Sequence, residues 1–180
     1  MRDLHGLPRF PEIRETGKTF AANARIKARA LSRVLRDRPI LADDSGLVVP
    51  ALGGRPGVYS ARFSGPQATD QANRNKLLRL LRAKLGSRRR AYFEACLVIS
   101  QNGAVLGSVS GRVWGRITTR EMGKGGFGYD PIFQPQGFAR TFGELPSGTK
   151  HRISHRARAV AKLKTRLSRI LRGSHLKNLI

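Results

Sequence analysis

The chain has 180 residues, 35 of them lysine or arginine against 11 aspartate or glutamate, giving a formal charge of +24 and a sequence pI near 11.8. That length supports one sizeable core rather than two independent ones, and the charge predicts attraction to nucleic acid, nucleotides or anionic surfaces while saying little about fold. No apolar run approaches the roughly 20 residues of a membrane helix, the opening "MRDLHGLPRFPEIRETG" lacks the apolar stretch of a secretory leader, and the lone Cys96 excludes an intrachain disulfide, so a cytoplasmic chain with no membrane contact is expected.

Phe20, Ala24, Ala28, Leu31 and Leu35 step by three and four, which predicts a helix with Thr19 as its N-cap. "RPILADDSG" predicts a short strand that runs into a loop at Asp43 and Asp44. Residues 66–85 open with turn residues and a Thr69 cap, then carry Leu77, Leu78, Leu81 and Leu85 as the stripe of a second helix. In "RAYFEACLVISQNGAVLGSVSGRVWGRIT" two β-rich runs flank Asn102-Gly103, the signal of a tight hairpin turn, with Cys96 buried in the first strand. A last helix over about residues 155–172 sets Val160, Leu163, Leu167 and Leu171 on one side, with seven arginines or lysines spread along it. The pattern is that of an α/β chain with no internal repeat.

Three constellations carry chemistry. Neighbouring carboxylates at Asp43 and Asp44 suit a divalent cation, one of them free to deprotonate a water, with Glu15 as a further oxygen ligand; they suit equally a loop bonding its own backbone. In "GKGGFGYDPIF", residues 123–133, the glycines let a ligand approach the backbone, Phe127 and Tyr129 offer faces for a base, and Asp130 suits a ring N–H. A glycine-rich loop with core aromatics has the same pattern. In "TKHRISHRARAV", residues 149–160, Ser154 caps a helix whose start, with Lys150, His155 and Arg156, suits an anionic or carbonyl-bearing ligand or is an ordinary basic helix end.

The order and wording of "ETGKTFAANARIKARA", "LADDSGLVVPALGGRPGVYSARFSG", "GGFGYDPIF" and "TFGELPSGTKHRISHRARAV" resemble the inosine/xanthosine triphosphate pyrophosphatases, from about Pro11 to Leu171. The resemblance implies an elongated two-lobed α/β fold with a long mixed sheet, an active site in the cleft between lobes, and a homodimer. Residues 1–172 would form that single domain and 173–180 a tail. It implies hydrolysis of deaminated purine nucleoside triphosphates (ITP, dITP, XTP) to monophosphate and pyrophosphate with Mg2+. Asp44 would be the catalytic acid and a metal ligand, with Asp43 beside it and Glu15 as the second metal-binding carboxylate. Lys27 and Lys150 would hold the phosphates, and Phe127, Gly128, Tyr129 and Asp130 the base. His155 and Arg156 would recognise the 6-oxo group, with Ser45, Ser60 and Arg62 at the cleft. Two departures are evident. The strand and Ser/Thr-x-Asn-x-x-Lys phosphate loop that open such enzymes have no counterpart before Glu15, and the surface is far more basic. The second departure supports an alternative expectation, a catalytically impaired remnant that binds nucleic acid without sequence preference.

Overall fold

The structure is a computed structural model that describes residues 13–36 and 38–173, with side chains through Ser168. The expected helices form where local signals put them. Helix α1 spans Phe20–Val34, and Thr19 caps it by accepting a hydrogen bond from the Ala22 amide at 3.1 Å. Helix α2 spans Asp70–Leu80, capped in the same way by Thr69. It stops short of the expected Leu85, which is 73% exposed. Arg89 is the reason: its buried guanidinium donates to the carbonyls of Leu81 and Lys84, at 2.7 and 3.2 Å, and to that of Ile117 at 2.8 Å. Carbonyls past the last turn are thereby satisfied without further helix.

Four strands, β1 (Ile40–Val48), β2 (Arg90–Gln101), β3 (Ala104–Ile117) and β4 (Phe133–Pro135), form one sheet in that order. Every pairing described is antiparallel, so the parallel component of the expected mixed sheet does not occur among the described residues. A two-residue turn joins β2 to β3, with Asn102 at φ 51° and Gly103 at φ 79°, and such a turn permits only antiparallel neighbours. The expected loop at the aspartate pair is also corrected. Asp43 and Asp44 lie inside β1, opposite Leu97 and Cys96 of β2, because the long apolar β2 supplies a pairing partner that overrides their poor strand propensity.

Side chains alternate across a strand, and the two faces carry different helices. Helix α1 buries Phe20, Ala24 and Ala28 against Ala42, Cys96 and Val98. Helix α4 (His155–Gly173) buries Ala159 and Leu163 against Ala95, Leu97, Ile99 and Val109 on the other. The stripe expected on α4 is therefore rotated: Val160 and Leu167 are exposed. A close approach sets the rotation, since a Cβ on Gly111 of β3 would lie 2.3 Å from the Ala159 nitrogen and the His155 oxygen. Only glycine lets the helix backbone rest there. Helix α3 (Ser147–Ile153) leads into α4, and a third cluster, including Leu47, Leu77, Phe93, Phe133 and Phe142, fills the end of the sheet next to α2 and β4. The expected tail begins with the last residue of α4; residues 174–180, and the front before Ile13, lie outside the described residues.

Candidate active site

Strand β1 divides the acidic residues between its two faces. On the α1 face, Lys27 Nζ lies 2.8 Å from Asp44 Oδ1 and 3.3 Å from Glu15 Oε1, one ammonium between two carboxylates. Asn23, fully buried one helical turn before Lys27, accepts the Gly17 amide at 2.8 Å and so fixes the turn after Glu15. Burial pushes the Asp44 carboxyl above the ordinary aspartate range, opposed by its hydrogen bond to Lys27 and the charge of Lys27. Its second oxygen, Oδ2, and the buried Asn23 Nδ2 each lack a formed hydrogen bond, although Asn23 stands near enough to lower the Asp44 pKa slightly. A buried, orphaned carboxylate oxygen is costly unless something else uses it.

On the α4 face, Arg156 Nε donates to Asp43 Oδ2 at 2.7 Å and its Nη2 to Ser45 Oγ at 2.7 Å. The three carboxylates expected together, Glu15, Asp43 and Asp44, thus separate into two groups, and no cluster of three His, Cys, Asp or Glu able to hold a metal occurs among the described residues. The physical reason is the strand itself: adjacent side chains in β1 face opposite ways. Glu15 and Asp44 remain as a pair of hard oxygen donors, which matches the way magnesium is held by one or two carboxylates together with substrate phosphates.

A pocket of about 190 Å³ opens beside Arg156, lined by Ser45, Gly46, Ser60, Phe127, Tyr129 and His155 among others. The glycine-rich loop forms its rim, with Gly126 and Gly128 at φ 76° and 59°. A Cβ on Gly126 would collide with the Asp130 carboxylate. Asp130, buried, accepts the Phe127 amide at 2.8 Å and pairs with Lys150, whose ammonium lies 4.3 Å from the Phe127 ring centroid. Lys150 is therefore placed with the aromatic loop, apart from the Glu15–Lys27–Asp44 group. Phe127 itself is exposed at the mouth. Ser60 lines the pocket, but its hydroxyl is engaged by the Leu47 amide and the Gly57 carbonyl, at 2.9 and 2.7 Å. Arg62 is not brought to the pocket; it lies over the Tyr59 ring and lines a neighbouring groove.

Two residues of this site escape sequence reasoning. Asp70 accepts the Gly128 amide at 2.7 Å and Arg74 donates to the Gly128 carbonyl at 2.8 Å, so α2 holds the loop by both backbone groups of one residue. Their signal, an acid in the first turn of a helix and an arginine four residues on, is that of any surface helix.

His155 begins α4 and stacks on Phe93, ring centroids 4.9 Å apart at 14°. Burial, with the charges of Arg156 and Lys150, lowers its pKa from 6.5 to about 3, so the imidazole is neutral. Its Nδ1 is buried without a partner. A group whose pKa falls on folding binds fewer protons in the native state, so its contribution to stability is complete above pH 6.5 and is lost as pH falls towards about 3. The slope it adds in that window approaches about 1.4 kcal/mol per pH unit. Urea unfolding at about pH 7.5 and about pH 5 is expected to show a smaller loss of stability for His155→Gln than for the parent; equal losses would mean that His155 is protonated in the folded chain.

The same arrangement of strands and helices occurs in solved structures. A Ham1 protein from Coxiella burnetii superposes with a TM-score of 0.82 at 42% identity, covering 88% of this chain and 81% of that one. The nucleoside-triphosphatase / dITP/XTP pyrophosphatase of Mycobacterium abscessus gives 0.76 at 43% identity, covering 87% and 79%. In sequence the chain is 44% identical over 173 residues to the dITP/XTP pyrophosphatase of Geobacillus kaustophilus, 96% of this chain and 84% of the relative. It is 46% identical over 164 residues to that of Geobacter sulfurreducens, 91% and 82%. The Ham1 family model matches residues 1–166, a span that takes in both faces of β1, the glycine-rich loop and the start of α4. By fold and by sequence across that span, this chain belongs to the Ham1 family.

Proposed function

We propose that the chain hydrolyses deaminated purine nucleoside triphosphates, ITP, dITP and XTP, to the monophosphate and pyrophosphate, with Mg2+ as cofactor. The observation that carries this reading is the half-buried Asp44–Lys27–Glu15 group on β1 together with a purine-sized pocket, lined by Ser45 of the same strand, that ends in a neutral His155 and an oriented Arg156. The activity named in the relatives points the same way.

Glu15 and Asp44 would hold Mg2+, which offsets phosphate charge and polarises the α-phosphoryl group. Asp44 would take the proton of the attacking water on Oδ2, the oxygen left free by Lys27. The Lys27 ammonium offsets charge that builds on the phosphate oxygens. At the other end, Phe127 offers its exposed face to the base. The Arg156 guanidinium donates towards a 6-oxo group, a preference that leaves donors unpaired against the amino group of adenine. The homodimer and the cytoplasmic location implied by the resemblance belong to the same proposal. The remnant reading gains no support, since Asp44, Glu15, Lys27, His155 and Arg156 all stand in organised contacts.

The test is product analysis with Mg2+ on dITP, XTP and dATP. Pyrophosphate and monophosphate are the expected products, with dATP at least about 100-fold poorer in kcat/KM. Orthophosphate as the first product, or equal turnover of dATP, overturns the reading.

A further inference from the structure

Asp43 is bonded to Asp44 in sequence yet shares none of its partners. Its Oδ2 takes the Arg156 Nε at 2.7 Å, while Ser45, two residues along the same face of β1, takes the Nη2 of the same guanidinium at 2.7 Å. Two acceptors spaced by one strand period fit the fork of a guanidinium, which a lysine ammonium cannot bridge in the same way. The guanidinium carbon lies 5.7 Å from the centroid of the Phe127 ring, so the held cation borders the mouth of the pocket. The backbone of Arg156 is fixed independently, by the contact between Gly111 and the first turns of α4. What remains to be fixed is the swing of a long side chain, and β1 supplies the two points that do so.

We infer that Asp43 is a positioning residue for the base-binding end of the site, acting through Arg156, and not a metal ligand. The inference rests on the proposed nucleotide site and deepens it: adjacent aspartates serve opposite ends of one substrate, Asp44 the phosphates and Asp43 the base. Without Asp43 the guanidinium keeps a single bond to Ser45 and loses its orientation. Asp43→Asn retains an oxygen that accepts from Arg156 Nε, whereas a metal ligand would suffer from the lost charge.

The experiment measures binding of inosine monophosphate, and separately of Mn2+, to the nucleotide-free chain by calorimetry, together with steady-state kinetics on dITP. Four variants are compared with the parent: Asp43→Ala, Asp43→Asn, Arg156→Ala and the double alanine variant. Asp43→Ala is expected to weaken inosine monophosphate binding and raise KM for dITP by about tenfold, with a smaller change in kcat and with Mn2+ affinity held within about twofold. The double variant is expected to match Arg156→Ala, and Asp43→Asn to recover at least half of the loss. A tenfold or greater loss of Mn2+ affinity in Asp43→Ala, or losses that add with those of Arg156→Ala, overturns the inference. If the parent binds inosine monophosphate but hydrolyses no dITP, the proposed activity fails while the binding comparison still decides the role of Asp43. If the parent does not bind inosine monophosphate, the positioning role falls with the base pocket.

Discussion

Asp44→Asn is expected to lower pyrophosphate release from dITP by about a thousandfold, within the range for loss of a general base. The change is nearly constant in volume, so it removes the proton affinity and the charge that would help hold Mg2+ while leaving the packing in place. The amide oxygen of the variant would still accept from Lys27 Nζ, which lies 2.8 Å from Oδ1 of Asp44, so the α1 face of the sheet stays assembled. The oxygen that matters is the buried, unpartnered Oδ2, which an amide group cannot use to take a proton. Because Asp44 does not line the pocket at Arg156, inosine monophosphate affinity is expected to stay within about threefold of the parent, the mark of an interaction made at the transition state. Retention of more than about a tenth of the turnover would place the proton acceptor elsewhere.

Gly111→Val is expected to cost about 3 kcal/mol of stability or more, because overpacking a close contact with no flexible neighbour forces backbone to move. A Cβ at that position meets the Ala159 nitrogen and the His155 oxygen at 2.3 Å and the Arg158 carbonyl carbon at 2.9 Å, all of them main-chain atoms of α4. The helix has to lift from β3. Its first two residues are His155, stacked on Phe93, and Arg156, bound to Asp43, so the displacement reaches the pocket. Gly111→Ala, with the same first carbon and no branch, is expected to be milder in stability while still weakening inosine monophosphate binding. Urea unfolding and calorimetry check both; a loss of less than about 0.5 kcal/mol for Gly111→Val would mean that α4 is not seated through this contact.

Features settled within a few residues could be read along the chain. Thr19, Thr69 and Ser154 were legible as helix caps, because each hydroxyl bonds an amide three residues on. Asn102-Gly103 was legible as a hairpin, because its positive φ values suit those two residue types. The motifs around Asp44, Phe127 and His155 could be singled out along the chain as candidates. How those residues are shared out came from packing between distant segments. Asp43 and Asp44 look like one pair along the chain, but a strand sends neighbours to opposite faces. The strand runs through them because β2 pairs with it from about 50 residues away in sequence, a choice that local propensity does not contain. Lys150 could not be assigned to Asp130 from spacing, nor Arg62 removed from the pocket, nor Asp70 and Arg74 seen to clamp Gly128. Each of those contacts depends on the direction of a side chain after distant segments have packed, and the inward face of α4 was likewise set by a glycine on another element.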